Sequence, residues 1–363
     1  MALTLLYISG ILLFILLVYY LGIFAGSVFS KPHETNAKNI PVSVIVYAKN
    51  NFEELKNLLP VLLNQNYHQF ELLVVNNAST DETLDLLKEY TTMYPNVRMV
   101  NVVNNEAFWG NKKYALTLGI KASTYEYLVF IDAENKVHSN NWLLQMSSCF
   151  TQNKTLIMGT AYYGKSKGFF NKLVRFDHSM QQMQALAWSK VGKPYSLHLP
   201  NFAFKKEEFY KVNGFINHMQ QRMFTNEYFL KDAGEIKNTT VCELPETLIE
   251  LPAITDKKEF KEFKNQQLEL LQNLKGASLK IKFFNLCQFL FLLSSIISIA
   301  LIEYLYIAIG IFVFRYLLLW IIFSKNAKKF HYKDLIILFP ILDFIYIFMQ
   351  VQLFFKNLFS KSN

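Results

Sequence analysis

The sequence has few cysteines, and none of them belongs to a recognisable metal or redox motif. The 363 residues contain three, Cys149, Cys242 and Cys287, which are far apart and odd in number. The absence of a C-x-x-C pair excludes the common cysteine zinc sites and the thioredoxin type of redox motif. The seven histidines do not cluster at ligand spacing either. We therefore predict reduced, buried thiols and no zinc site.

The chain also lacks any RNA- or DNA-binding motif, although its net charge is +9. Hydrophobic residues make up 52% of the sequence, with 33 Phe and 20 Tyr, which is too apolar for an ordinary soluble enzyme and indicates membrane segments. Among apolar segments, an excess of Lys and Arg more often marks cytoplasmic flanks than nucleic-acid binding. We therefore predict a membrane protein that contacts the lipid bilayer and binds no nucleic acid.

No Lys or Arg precedes the first apolar run, which extends from Leu3 to Ala25. A secretory signal peptide would have a basic start and a shorter apolar core. The run is about long enough to span a bilayer, and Lys31 and Lys38 follow it. This pattern predicts an uncleaved anchor whose carboxyl side lies in the cytoplasm.

Three further apolar segments lie near the carboxyl end. Ile281 to Ile302 and Tyr304 to Phe323 are candidate spans. Leu335 to Phe355 contains Pro340 and Asp343, so it either spans or lies against the protein. The lysines between the last two segments mark a cytoplasmic loop. The predicted organisation is a transmembrane anchor at 1–28, a cytoplasmic domain at 40–275, and a membrane region at 280–357 with two or three spans. The localisation that follows is the cytoplasmic (inner) membrane, multi-pass.

Short apolar strands alternate with amphipathic helices through the first part of the predicted domain. The predicted strands are Val42–Tyr47, Phe70–Val75, Val97–Val103 and Glu126–Ile131. The predicted helices between them are Asn51–Leu63, Asp81–Tyr90 and Asn111–Lys121. Strands and helices at this spacing imply parallel βαβ units, so the fold class is α/β with a doubly wound, mostly parallel sheet. No internal repeat is visible.

The stretch Glu126–Glu134, EYLVFIDAE, places two carboxylates at the end of a buried strand. Ligands of open α/β sheets bind at the carboxyl ends of the strands. Residues two apart point to the same side, so Asp132 and Glu134 could both reach one hard cation with oxygen ligands. For D-x-E alone, a polar turn after the strand is the favoured explanation, and the neighbouring segments shift the balance toward a cation site.

Those neighbouring segments resemble the inverting family 2 glycosyltransferases of GT-A fold, in particular the membrane-anchored bacterial members. The resemblance rests on motifs in the family's order and spacing: PVSVIVYAKNN, FELLVVNNASTDET, WGNKKYALTLGIKAS, IDAE and NFAFKKEEFYKVNGF. It covers residues 40–235, more than half of the chain. It implies a GT-A (Rossmann-like) domain that binds a nucleotide-sugar donor and a lipid-linked or cell-surface (cell envelope) glycan acceptor.

The resemblance also implies roles for individual residues. Tyr47, Asn50, Asn76 and Asn77 would border the nucleoside. Asp132 and Glu134 would hold a divalent metal, Mn or Mg, on the diphosphate. Lys112 or Lys113, at the start of a helix, would approach the phosphates, while the other lysine would lie on a solvated helix face.

Several positions depart from the family pattern. The general base is usually a carboxylate, but Asn226 occupies its place, and an amide cannot accept that proton. Glu227 is then the substitute base, although a surface position on a helix is an equally simple interpretation. Asn77 and Glu134 replace aspartates. Lys264–Glu269 contains the glutamines of a Q-x-x-R segment without the following Arg.

These departures leave two alternatives beside a metal-assisted inverting transferase. One is a catalytically weakened or inactive relative that binds a nucleotide, a glycan or a partner transferase at the membrane. The other is a membrane transport or scaffold protein, in which Arg315 and Asp343 would pair across helices.

Overall fold

The computed structural model describes residues 2–29, 39–103, 111–221 and 223–359. The chain divides into two compact units. An α/β unit lies within residues 31–165 and 188–253, and a helical unit lies within residues 1–30, 166–187 and 254–363. Residues 166–187 and 254–275, which the sequence analysis places inside the 40–275 domain, group with the helical unit.

The strands of the described chain are short and mostly buried. They are β1 (Val42–Ala48), β2 (Phe70–Asn77), β3 (Val97–Val102), β4 (Tyr127–Asp132), β5 (Lys136–Val137), β6 (Leu156–Met158), β7 (Ala161–Tyr163), β8 (Phe202–Lys205), β9 (Thr239–Val241) and β10 (Ile249–Leu251).

The α-helices of the described chain vary from single turns to membrane length. They are α1 (Ala2–Leu17), α2 (Ala25–Val28), α3 (Phe52–Leu63), α4 (Thr83–Met93), α5 (Lys112–Ala122), α6 (Trp142–Ser148), α7 (Phe169–Val191), α8 (Lys206–Lys211), α9 (Thr225–Ala233), α10 (Lys257–Asn273), α11 (Lys275–Ala300), α12 (Leu305–Lys329) and α13 (Phe339–Phe359). A π-helical segment, Val18–Phe24, joins α1 to α2.

The α/β unit is built on a seven-stranded sheet of order β3-β2-β1-β4-β8-β6-β9. The first four strands pair in parallel, whereas β8 runs antiparallel to both β4 and β6. A second sheet has the order β5-β10-β7. The prediction of a mixed, mostly parallel sheet is confirmed. The antiparallel strand β8 marks the point where the simple βαβ alternation ends.

Helix α5 packs closely on the sheet, which fixes the position of its first turn. A Cβ atom at Gly119 would lie 2.5 Å from Cγ2 of Val75 on β2, so only glycine allows this approach. Ala115 and Ile120 of the same helix are fully buried. The amino-terminal end of α5 is thereby held beside the carboxyl ends of β1 and β4.

The helical unit contains three helices long and apolar enough to cross a membrane. Among the described residues these are Ala2–Val28, Lys275–Ala300 and Leu305–Lys329. They correspond to the first three predicted segments. The fourth corresponds to α13, whose apolar part, Phe339–Phe354, is shorter than the other three.

Candidate functional site

The carboxyl ends of β1 and β4 lie side by side and bring Tyr47 next to Asp132. The two residues are direct partners in the parallel register, and the Ala133 N–H donates to the Tyr47 carbonyl at 2.9 Å. The Asp132 side chain is 31% exposed, because the strand leaves the core at this residue. The predicted strand-end carboxylate is therefore accessible to solvent.

Helix α5 places Lys112 beside the Asp132 carboxylate. The helix begins after Asn111, whose side-chain oxygen accepts from the N–H groups of Lys113 and Tyr114, a standard amino-terminal cap. The Lys112 Nζ lies 2.6 and 2.7 Å from the two Asp132 oxygens and 4.7 Å from the centre of the Tyr47 ring. A charge-assisted contact of this kind is stronger than a neutral hydrogen bond.

The residues predicted to border the nucleoside fall into two groups. Tyr47 and Asn77 lie beside Lys112, whereas Asn50 and Asn76 make other contacts. Near Lys112, the Asn77 amide donates to the Tyr47 hydroxyl at 2.9 Å. Burial raises the pKa of that hydroxyl, and the Asn77 hydrogen bond and the Lys112 charge only partly oppose this. Asn50 has a left-handed backbone, φ +55°, and its side-chain oxygen accepts from the Thr80 N–H at 2.8 Å. Asn76 is buried and bonds to Asn101 at 2.8 Å, so it supports the sheet end from within.

Asn226 and Glu227 lie at the start of α9 and both bind the backbone of Leu199. The Asn226 amide donates to the Leu199 carbonyl at 2.8 Å, and the Glu227 Oε1 accepts from the Leu199 N–H. Phe224, just before the helix, has φ +59°, a strained conformation for a bulky residue. Glu227 is only 5% exposed. The interpretation of Glu227 as a surface helix residue is therefore wrong.

The electrostatics of Glu227 connect it to the strand-end site. Burial raises the pKa of its carboxyl group, while the hydrogen bond from Leu199 and the positive charges of Lys112 and Lys113 oppose the increase. In turn, the Glu227 charge acts on the ammonium of Lys112. Two carboxylates from distant parts of the sequence, Asp132 and Glu227, thus act on one lysine.

Lys113 lies in the interior and not on a solvated helix face. It is fully buried, and its Nζ donates to the backbone carbonyls of Gln221 and Met223, at 2.9 Å in the second case. Burial lowers the pKa of this ammonium to about 8, although the Glu227 charge opposes the change. The expectation that one of the two lysines is solvated is therefore not met.

Comparisons with known proteins identify the family of this chain. The sequence profile of "Glycosyl transferase family 2" matches residues 43–228, just over half of the chain. The chain belongs to this family. The match begins in β1 and ends at Tyr228, one residue after Glu227, so it contains every predicted site residue.

Individual relatives of this family 2 chain share only parts of it. An uncharacterized glycosyltransferase, YibD, of Escherichia coli is 29% identical over 27% of each chain. The poly(ribitol-phosphate) beta-N-acetylglucosaminyltransferase TarP of Staphylococcus aureus is 33% identical over 27% of this chain and 29% of its own. The chain therefore spans less than a third of the length of these curated relatives.

A solved structure shows the fold over a greater length. The mannosyltransferase PcManGT of Pyrobaculum calidifontis, determined in complex with GDP-Man and Mn²⁺, superposes with a TM-score of 0.58. The likeness covers 93% of this chain and 98% of that one at 16% identity. It confirms the GT-A fold.

One residue near the family 2 site was not expected from the sequence. His198 stacks on the Tyr163 ring at 5.8 Å between centres, and its Nδ1 lies 3.4 Å from the Tyr163 hydroxyl. Burial lowers the pKa of His198 to about 4, with the Asp132 charge opposing and the Lys112 charge adding to the effect. An isolated histidine in the segment LHLP carries no spacing signal, so only the fold reveals it.

The predicted metal ligands fit a divalent cation in donor type but not in number. Asp132 and Glu134 offer oxygen atoms, which Mg²⁺ and Mn²⁺ prefer. Glu134 lines a groove of roughly 570 Å³ with Glu53, Glu54 and Asn57. The described residues contain no group of three or more His, Cys, Asp or Glu that could hold a metal ion. A cation here would need ligands from the donor diphosphate and water.

Proposed function

We propose that this family 2 chain transfers a sugar from a nucleotide-sugar donor to a lipid-linked or cell-surface glycan acceptor with inversion. The observation that carries the proposal is the ion pair of Lys112 with Asp132 at the carboxyl ends of the parallel strands, where the charge of Glu227 also acts on Lys112. Asp132 suits the leaving-group side of the reaction, and Glu227 suits the acceptor side. Lys112, which contacts Asp132, suits a phosphate oxygen.

In this proposal the donor lies over the ends of β1, β2 and β4. Tyr47, Asn50 and Asn77 border the nucleoside, with Asn76 holding the sheet end behind them. Lys112 turns from Asp132 to the diphosphate. Asp132 and Glu134 would hold a divalent Mg or Mn ion, which would supply positive charge on the side of the departing nucleoside diphosphate.

Glu227 is the general base of the proposed reaction. One carboxylate oxygen is held by the Leu199 N–H, which leaves the other for the acceptor hydroxyl. That hydroxyl loses its proton to Glu227 while its oxygen bonds to the sugar carbon from the face opposite the nucleoside diphosphate. The bond to the leaving group breaks with its electron pair, so the configuration inverts. The raised pKa of Glu227 suits a base that works near neutral pH.

The membrane topology is part of the proposal. The three long apolar helices anchor the chain, and the lysines at the end of α12 follow the rule that cytoplasmic flanks are basic. The α/β unit would then face the cytoplasm at the inner membrane. Nucleotide sugars are available on that side.

A second candidate is a family member that binds a nucleotide or glycan without turnover. The favouring observation is that Asn226, at the usual base position, uses its amide as a donor to the Leu199 carbonyl. Glu227 is buried beside it. In this alternative both residues serve only to hold the Leu199 segment.

The two candidates separate in one assay of the full chain in detergent. Release of nucleoside diphosphate is measured with UDP- and GDP-sugars, with Mg²⁺ or Mn²⁺ and with added lipid extract as acceptor source. Transfer requires turnover in wild type that Asp132→Asn abolishes, while the matched exposed change Asp85→Asn has no effect. Nucleotide binding by calorimetry without turnover, followed by activity in Asn226→Asp, supports the second candidate. Equal rates in wild type and Asp132→Asn would exclude the first.

A further inference from the structure

The helical unit contains an apolar cavity of about 240 Å³ among three helices. Helix α10 contributes two leucines, α11 contributes six residues between 281 and 290, and α13 contributes four between 350 and 354. All twelve are apolar except Lys282, Asn285 and Gln350. None of the residues named in the proposed transfer reaction lines this cavity.

The polarity of the cavity is graded along α11. Lys282 lies eight residues before Leu290, which corresponds to about 12 Å at the rise of an α-helix. The Asn285 amide donates to the Gln350 carbonyl at 3.3 Å, so these two amides bond to each other across the wall. Of the described residues that line the cavity, Lys282 carries the only charge. The cavity therefore has a cationic end and an apolar end.

The cationic end coincides with the start of a membrane-length helix. Helix α11 begins at Lys275 and carries three lysines in its first eight residues, with no acidic residue in its first turn. Basic side chains at the end of a span lie at the level of the lipid head groups and attract anionic lipids. The apolar end, at Phe289 and Leu290, lies two turns deeper in the same span.

We propose that this cavity binds the hydrocarbon chain of a single-chain lipid phosphate, with the phosphate at Lys282 and the chain directed toward Phe289 and Leu290. A molecule with one anionic end and one apolar chain matches both the charge and the gradient. The cavity has one cationic end and a volume of only about 240 Å³, which favours one chain over two. This inference rests on the proposed function, since the occupant is the lipid part of the acceptor.

Lipid binding can be measured without any nucleotide sugar. The full chain in a neutral detergent is titrated with dodecyl phosphate, and bound ligand is counted by native mass spectrometry. The parallel probes are dodecanol, inorganic phosphate and the two-chain lipid phosphatidylglycerol. Leu286→Trp fills the cavity, and Leu293→Trp, one heptad later and exposed on the same helix, is its matched control. Lys282→Gln removes the charge.

The proposal requires one dodecyl phosphate per chain, with binding weakened at least about tenfold by Leu286→Trp and by Lys282→Gln and unchanged by Leu293→Trp. Dodecanol and inorganic phosphate must each bind more weakly than dodecyl phosphate. Unchanged binding in Leu286→Trp would overturn it, as would equal binding of dodecanol or of phosphatidylglycerol. Because no donor is present in this titration, lipid binding can be observed even if the protein transfers no sugar. Conversely, the absence of lipid binding would still allow transfer to a lipid-free glycan.

Discussion

The ammonium of Lys112 occupies both carboxylate oxygens of Asp132, at 2.6 and 2.7 Å. A divalent cation that binds Asp132 would compete with this ammonium, because both are cations that use the same two oxygens. The phosphates of a bound donor offer Lys112 another partner. Metal binding and donor binding should therefore assist each other.

A first prediction concerns this competition. Lys112→Met should strengthen Mn²⁺ binding to the nucleotide-free protein by about tenfold, since removing a charge-assisted contact frees the carboxylate. Bound Mn²⁺ is measured by electron paramagnetic resonance. Lys121→Met, exposed at the other end of α5, is the control. Equal Mn²⁺ affinity in Lys112→Met and wild type would show that Lys112 does not compete with the metal ion for Asp132.

A second prediction concerns the proposed base. Glu227→Gln should lower kcat by about 10²–10⁴-fold, the usual contribution of general base catalysis, while donor affinity stays close to that of wild type. The glutamine keeps a side-chain oxygen for the Leu199 N–H, so the fold should persist. The exposed change Glu235→Gln is the matched control. A loss confined to KM would assign Glu227 to binding instead.

A third prediction concerns stability against acid. His198 has a folded-state pKa of about 4 against an ordinary value of 6.5, so between these values the unfolded chain binds more protons than the folded chain. The stability that neutral His198 contributes is therefore fully present above pH 6.5 and is lost as pH falls toward 4.

The test compares thermal unfolding in detergent between pH 7 and pH 4 for wild type and His198→Gln. We expect the variant to lose less stability over this range than wild type does. His68→Gln, at an exposed position, should keep the wild-type slope. Parallel curves for wild type and His198→Gln would refute the assignment.

A fourth prediction concerns the buried pair of Arg315 and Asp343, which are 1% and 0% exposed. Removing one partner leaves an uncompensated charge, so Arg315→Leu or Asp343→Leu alone should cost about 3–5 kcal/mol. The double variant should recover most of this loss. The measurement is unfolding in detergent, with Leu317→Ala, exposed on α12, as control. If the losses of unfolding free energy in the two single variants simply add in the double variant, Arg315 and Asp343 do not stabilise each other.

The sequence predicts the parallel half of the sheet well because local patterns determine it. The predicted strand Phe70–Val75 is observed as Phe70–Asn77, and Glu126–Ile131 is observed as Tyr127–Asp132. Each is a run of apolar residues followed by a polar turn, and these runs are long enough to be distinctive. The three-residue strands β6, β7 and β9 carry no such pattern, and only pairing with distant strands makes them strands.

The sequence indicates where the candidate site residues lie along the chain, but not the contacts among them. Asp132 was recognisable because a carboxylate ends a buried run. The burial of Lys113 depends on carbonyl groups more than a hundred residues away, which no local pattern encodes. The stacking of His198 on Tyr163 likewise depends on the fold. Asn226 and Glu227 were identified by resemblance, and their common partner Leu199 was not.

That common partner has a consequence for how the positions of Glu227 and His198 can change. Adjacent side chains on α9 hold both the N–H and the carbonyl of Leu199, and His198 precedes it directly. A substitution that moves the first turn of α9 must also move the imidazole, and an insertion in the 196–200 segment must also shift the carboxylate. A change in the position of Glu227 or His198 would therefore require paired changes on both segments.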